Sequence, residues 1–215
     1  MPLPNRQSGL YDPSYEHDAC GVAFVARLNG EASHETVERA LTALANLEHR
    51  GAAGADKNTG DGAGILLQIP DEFFRAQIAG LPPAGAYGVG TCFGGDEQTI
   101  EAAVAAEGQE FVCWRDVPVD ETHVGRTARA AMPRIRQFVV AARGLEGDAF
   151  ERKLYVIRRV AELAAGPSLV IPSLSSRTLV YKGMLTAPQL AGFYPDLNDP
   201  VFATALALVH SRFST

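Results

Sequence analysis

Residues 51–64, Gly-Ala-Ala-Gly-Ala-Asp-Lys-Asn-Thr-Gly-Asp-Gly-Ala-Gly, constrain the fold more than any other stretch. Five glycines in fourteen positions carry too much backbone freedom for a helix or strand interior, so the segment is expected to be a loop of unusual conformation. Just upstream, Ser33 can cap a helix whose apolar positions Val37, Ala40, Leu41, Leu44 and Leu47 recur at i, i+3 and i+4. His49, Arg50 and Gly51 are placed to close it, the cations against the C-terminal dipole and the glycine as a left-handed cap. Just downstream, residues 65–69 read as a strand stopped by Pro70.

Short apolar runs and helical patterns alternate through the rest of the chain. Residues 20–28 predict a buried strand, and Asn29-Gly30 a hairpin-type turn after it. Helices are expected over 71–79 and 96–107, and strands over 87–93, 110–115 and 134–142. Residues 122–132 fit neither template. Asp148 with Glu151 resembles a capping box opening a helix to about Ala165. Strands follow over 169–174 and 178–181 around Ser175-Ser176-Arg177, then a mostly loop-like stretch over 186–199 and an apolar strand over 202–213. The βαβ-like rhythm allows a doubly wound parallel sheet or a four-layer sandwich of two sheets between helices. No repeat or linker divides the chain, which reads as a leader, 1–19, and one domain, 20–215.

A net charge of −6 and a pI near 5.4 argue against nucleic acid as a partner, because no basic block is present to neutralise phosphates. Three cysteines, Cys20, Cys92 and Cys113, lie far apart without a CxxC pair, which fits a reducing, cytoplasmic compartment better than a disulfide framework or a metal site. The leader lacks the apolar stretch of a secretory signal, and no later run approaches the roughly 18 residues of a membrane span. It reads as a propeptide.

The chemistry concentrates at Glu16-His17-Asp18-Ala19-Cys20-Gly21-Val22-Ala23-Phe24. Cys20 heads an apolar run, and cleavage of the Ala19–Cys20 bond would make it an N-terminus. A free α-amine, with a pKa of about 7.7–8.0, is then a base beside its own thiol. One residue carries nucleophile and general base together, as in N-terminal-nucleophile enzymes. A buried structural thiol on a strand is the alternative. His210 and Ser211 suggest a Cys–His pair, but the amine already supplies the base. Gly60-x-Gly62-x-Gly64 suggests a phosphate-cradling turn, yet it lacks the full spacing and follows no strand.

Three stretches together, 16–24, Leu47-Glu48-His49-Arg50-Gly51-Ala52 running into the glycine loop, and Leu208-Val209-His210-Ser211-Arg212-Phe213-Ser214-Thr215, resemble the class II glutamine amidotransferases, in particular the domain that opens the glutamate synthase large subunit. The resemblance implies an α+β fold, the four-layer αββα sandwich of N-terminal-nucleophile hydrolases, present here in part. It implies Cys20 as nucleophile, Arg212 and Thr215 as binders of the glutamine α-carboxylate, and Arg50 with Gly51 as positioning groups. No role is assigned to Asp56 or Asp61. It also implies an FMN and an iron–sulfur cluster elsewhere in the full enzyme, the rest of the large subunit and an NADPH-oxidising small subunit as partners, and an oxyanion hole beyond Thr215, so that this stretch alone would be nearly inactive. A stand-alone amidohydrolase or peptidase, or a non-catalytic module on the same fold, are the rival readings.

Overall fold

The computed structural model describes residues 21–50 and 58–212. Cys20, Gly51 and Thr215 lie outside the described residues.

Strand β1 is Gly21–Ala26, and Gly30, at φ 75°, closes the turn after it by donating its N–H to the Arg27 carbonyl at 3.0 Å. The turn is as expected but is not a hairpin. It leads instead into helix α1, His34–Asn46, whose cap is Ser33, its Oγ accepting from the Glu35 N–H at 3.2 Å. The helix ends four residues earlier than the sequence suggested. Leu44 is the last fully buried position of its apolar stripe, and a 3-10 turn, Glu48–Arg50, follows Leu47. His49 and Arg50 therefore stand past the helix, although His49 Nδ1 lies 3.0 Å from the Asn46 carbonyl oxygen.

Next come β2 (Ala63–Gln68), α2 (Asp71–Gln77), β3 (Tyr87–Gly94), α3 (Glu97–Ala106), β4 (Glu110–Asp116), α4 (Arg126–Ala130) and β5 (Ile135–Ala141). The chain finishes with α5 (Gly147–Ala165), β6 (Leu169–Ser175), β7 (Thr178–Gly183), α6 (Gln189–Phe193) and β8 (Leu206–Ser211). The ambiguous stretch 122–132 is thus α4 preceded by a 3-10 turn, and the expected loop 186–199 contains α6 and a further 3-10 turn. The capping-box reading of α5 was wrong. Asp148 pairs with Arg177, and Glu151 accepts hydrogen bonds from Ser175 and Ser176, which hold the β6–β7 corner instead of the helix start. The last strand is shorter than expected because Phe202 turns into the core, its ring 4.8 Å from that of Phe73, and Thr204 bridges Ser33.

Among the described residues two four-stranded sheets form, in the orders β1-β8-β2-β7 and β4-β5-β3-β6, and every ladder is antiparallel. That excludes the doubly wound parallel sheet. The βαβ rhythm was nevertheless a real signal. Strands β1 and β2 run the same way across α1, as do β3 and β4 across α3 and β5 and β6 across α5, but each pair is separated by a strand from elsewhere in the chain.

Helix α1 contributes Val37, Ala40 and Leu44 to a core shared with Ile65, Leu67, Tyr181, Ala207 and Val209 of the first sheet and Tyr87, Val89 and Val139 of the second. Phe138 and Val140, on the other face of the second sheet, pack with Ile100 and Val104 of α3 and Phe150, Leu154 and Ile157 of α5. Fully burying one such side chain is worth about 1.5–3 kcal/mol, so these two clusters are what hold the sheets and helices together. Val22, Phe24, Leu206 and Leu208 alternate with the buried residues of β1 and β8 and are exposed, Phe24 by 71%. No described helix is long and apolar enough to cross a membrane.

Candidate active site

One row of the first sheet gathers the residues of interest. Gly21 pairs with Ser211, Ser211 with Ala63, and Ala63 with Gly183, so the starts of β1 and β2 and the ends of β8 and β7 lie side by side. Adjacent strands are about 4.8 Å apart. Gly21, the residue bonded to Cys20, therefore begins its strand directly across from the residue that precedes Arg212.

The ladder does not stop at the row. Arg212 donates its backbone N–H to the Gly62 carbonyl at 2.7 Å while turning into the left-handed region at φ 79°, the only described non-glycine residue to do so. Such a conformation is disfavoured for a residue with a Cβ and is kept only where the surroundings hold it. His210 Nδ1 sits 3.0 Å from the Arg212 carbonyl oxygen, and Arg212 Nε is 3.2 Å from Asp61 Oδ2, both side chains one-third exposed.

The adjoining row, Val22, His210, Gly64, Lys182, explains one glycine of the loop. A Cβ at Gly64 would stand 2.4 Å from His210 Nε2 and 2.8 Å from Lys182 Cβ. Ala63 and Gly64 thus lie inside β2 although the glycine density suggested a loop through 64. The missing side chain is what lets the His210 ring lie across the strand. Gly60 is equally constrained: a Cβ there would meet the Leu185 and Thr186 backbone at 2.4 Å.

Of the residues singled out in the sequence, Arg212 is placed in this row's extension. Arg50 ends the 3-10 turn after α1. Cys20, Gly51 and Thr215 lie outside the described residues. Asp61, given no role by the sequence, is the carboxylate that faces Arg212.

A second group of polar residues escaped sequence reasoning entirely. Arg115 on β4 makes a two-pronged bond to Asp196, Nη2 to Oδ1 at 2.7 Å and Nη1 to Oδ2 at 2.8 Å, with both side chains less than a tenth exposed. Its remaining donors reach Gln137 and Gln77, and its guanidinium lies 5.1 Å from the Phe73 ring centre. Tyr181 on β7 donates to Asp196 Oδ2 at 2.7 Å and accepts from Gln137 Nε2 at 3.1 Å. Burial, and then the Asp196 charge, pushes the Tyr181 phenol well above its ordinary pKa, so it keeps the proton it donates. The network ties the second sheet to β7 two residues before Gly183. Beside Gly183 lies an apolar cavity of about 250 Å³ between Phe93, Met132, Leu185 and Phe193; Arg212 does not line it.

A match to the family described as glutamine amidotransferases class-II runs from residue 20 to residue 215. The chain belongs to this family. The match opens on Cys20 and spans both sheets. Over 228 residues the chain is 46% identical to the glutamate synthase [NADPH] large chain of Bacillus subtilis (strain 168), covering 99% of this chain and 15% of that protein. It is 40% identical over 238 residues to glutamate synthase [NADH] of Saccharomyces cerevisiae, covering 99% and 11%. It is likewise 40% identical over 226 residues to ferredoxin-dependent glutamate synthase 1, chloroplastic/mitochondrial, of Arabidopsis thaliana, covering 97% and 14%. The chain thus spans less than a sixth of the length of these relatives.

The described residues do not fit the iron–sulfur cluster that the resemblance implies for a full enzyme. Such a cluster takes four thiolates. The described cysteines are Cys92, buried, and Cys113, half-buried, and no group of three or more His, Cys, Asp or Glu side chains is gathered among the described residues. Nor do they fit a flavin phosphate at 60–64, which runs straight into β2 with no helix N-terminus to meet an anion.

Proposed function

We propose that this chain carries out the glutamine-hydrolysing half-reaction of a glutamate synthase, with Cys20 exposed as the N-terminus by removal of residues 1–19. The register of β1 against β8 is the observation that carries the reading: it sets the start of β1 across from the strand end that leads to Arg212. The family match beginning on Cys20 supports the same assignment.

In this mechanism the Cys20 thiolate attacks the side-chain amide carbon of glutamine, forming a C–S bond. The Cys20 α-amine, having taken the thiol proton, gives it to the departing nitrogen as the C–N bond breaks. Ammonia leaves. Water, deprotonated by the same amine, then cleaves the γ-glutamyl thioester and glutamate is released. Arg212 and the Thr215 hydroxyl hold the α-carboxylate, since a guanidinium grips a carboxylate through two parallel hydrogen bonds. Arg50 and Gly51 are assigned the role of positioning groups for the nucleophile. The site where ammonia meets 2-oxoglutarate belongs to other parts of a large chain of the relatives' length, which would work with FMN, an iron–sulfur cluster and an NADPH-oxidising small subunit.

The finer fold reading is the αββα sandwich. It is supported by two antiparallel sheets that share a core, by α3 and α5 on the outer face of the second sheet, and by the apolar outer face of β1 and β8 that the described residues leave uncovered.

Labelling of the full-length protein with an electrophilic ketone analogue of glutamine, followed by peptide mapping, tests the proposal. Modification confined to Cys20 and suppressed by glutamine is expected; modification of Cys92 or Cys113 instead, or of no cysteine, overturns it.

A further inference from the structure

Arg212 is held at both ends by one turn. Its backbone N–H bonds the Gly62 carbonyl at 2.7 Å, and Asp61, the residue before Gly62, meets its guanidinium with Oδ2 3.2 Å from Nε. On the other side His210 Nδ1 lies 3.0 Å from its carbonyl oxygen. The backbone of Arg212, in the left-handed region at φ 79°, is therefore pinned twice. The side chain still has a long flexible stem, and Asp61 is the described group whose charge addresses its head.

We infer that Asp61 is a positioning residue for substrate, holding the Arg212 guanidinium by Nε so that its Nη edge meets the α-carboxylate of glutamine. The inference rests on the reading of Arg212 as the carboxylate clamp. The physical case is one of orientation. An ion pair between side chains each one-third exposed contributes little to folding, because solvent screens it and two side chains must be immobilised. A guanidinium already ordered before substrate arrives, by contrast, loses less freedom on binding, which appears as affinity. A carboxylate on Nε also orients the fork without occupying its end-on edge. Sequence spacing could not reveal the pair, since 151 positions separate its members in the chain and only the β8–β2 ladder brings them together.

The test uses the full-length protein and two substrates, glutamine and 4-aminobutanamide, which keeps the amide and the amine but lacks the α-carboxylate. Asp61→Asn is expected to raise KM for glutamine about fivefold with kcat within about twofold, and to reduce the preference for glutamine over 4-aminobutanamide by the same factor. Asp61→Glu, which keeps the charge, is expected to recover most of that preference. An unchanged glutamine KM in Asp61→Asn overturns the inference, and so does an equal loss on both substrates, which would mark a structural role. Arg212→Lys separates the two readings. If it raises the glutamine KM while Asp61→Asn does not, only the Asp61 inference fails; if it leaves the glutamine KM unchanged, the clamp itself is wrong.

Discussion

Asp196 receives Arg115 through both carboxylate oxygens, at 2.7 and 2.8 Å, in a site where neither side chain is a tenth exposed. The pair joins β4 of the second sheet to the 3-10 turn Pro195–Asn198, and through Tyr181 to β7 of the first. Desolvation opposes the Arg115 charge, but the Asp196 bonds outweigh it and hold the guanidinium pKa above its ordinary value.

Removing one partner leaves the other charged and buried. Asp196→Asn or Arg115→Ala is therefore expected to lower the unfolding free energy by about 3–5 kcal/mol. Urea unfolding followed by circular dichroism reads this directly. A loss under about 1 kcal/mol would mean that the network relaxes to admit water and does not join the sheets.

Gly64→Ala tests the crowding at the row beside the site. The added Cβ would be 2.4 Å from His210 Nε2, so the imidazole must move and its contact with the Arg212 carbonyl must change. Overpacking of this kind costs about 1–3 kcal/mol. The expected outcome is a protein destabilised by that amount with a raised KM for glutamine, checked by thermal unfolding and steady-state kinetics. A variant of unchanged stability and KM would show that His210 does not support Arg212.

Cys92 is 1% exposed, and burial pushes its thiol up to about 11. A raised thiol pKa means the folded state holds the proton. The stability so gained is fully present below the unfolded thiol's pKa near 9 and is lost as pH rises from there towards 11. Two results follow. Native Cys92 stays unmodified by a thiol reagent at pH 8 while Cys20 reacts, and Cys92→Ala flattens the fall in stability between about pH 9 and 11. Rapid modification of Cys92 in the native protein would contradict its placement under α3 and α5.

Much of the element order could be read from local pattern, because apolar periodicity and turn residues act over a few positions. β3 and β4, and the span of α3 between Asp96 and Glu107, matched to within a residue or two. What escaped was non-local. No local signal states that β8 enters between β1 and β2, and that insertion converts a βαβ rhythm into antiparallel ladders. Asp148 and Glu151 have the spacing of a helix cap, yet both are drawn off by the β6–β7 corner, where Arg177, Ser175 and Ser176 compete for them. The Asp61–Arg212 and Asp196–Arg115 pairs were illegible for the same reason, since the partners are distant in the chain.

In the proposed mechanism a single residue becomes nucleophile and base once its amine is released. Intact-mass and N-terminal peptide analysis of the full-length protein, taken from a preparation that is hydrolysing glutamine, tests it most directly. A mature chain that begins at Cys20, with residues 1–19 absent, is expected. An equally active chain that still carries those residues would contradict it.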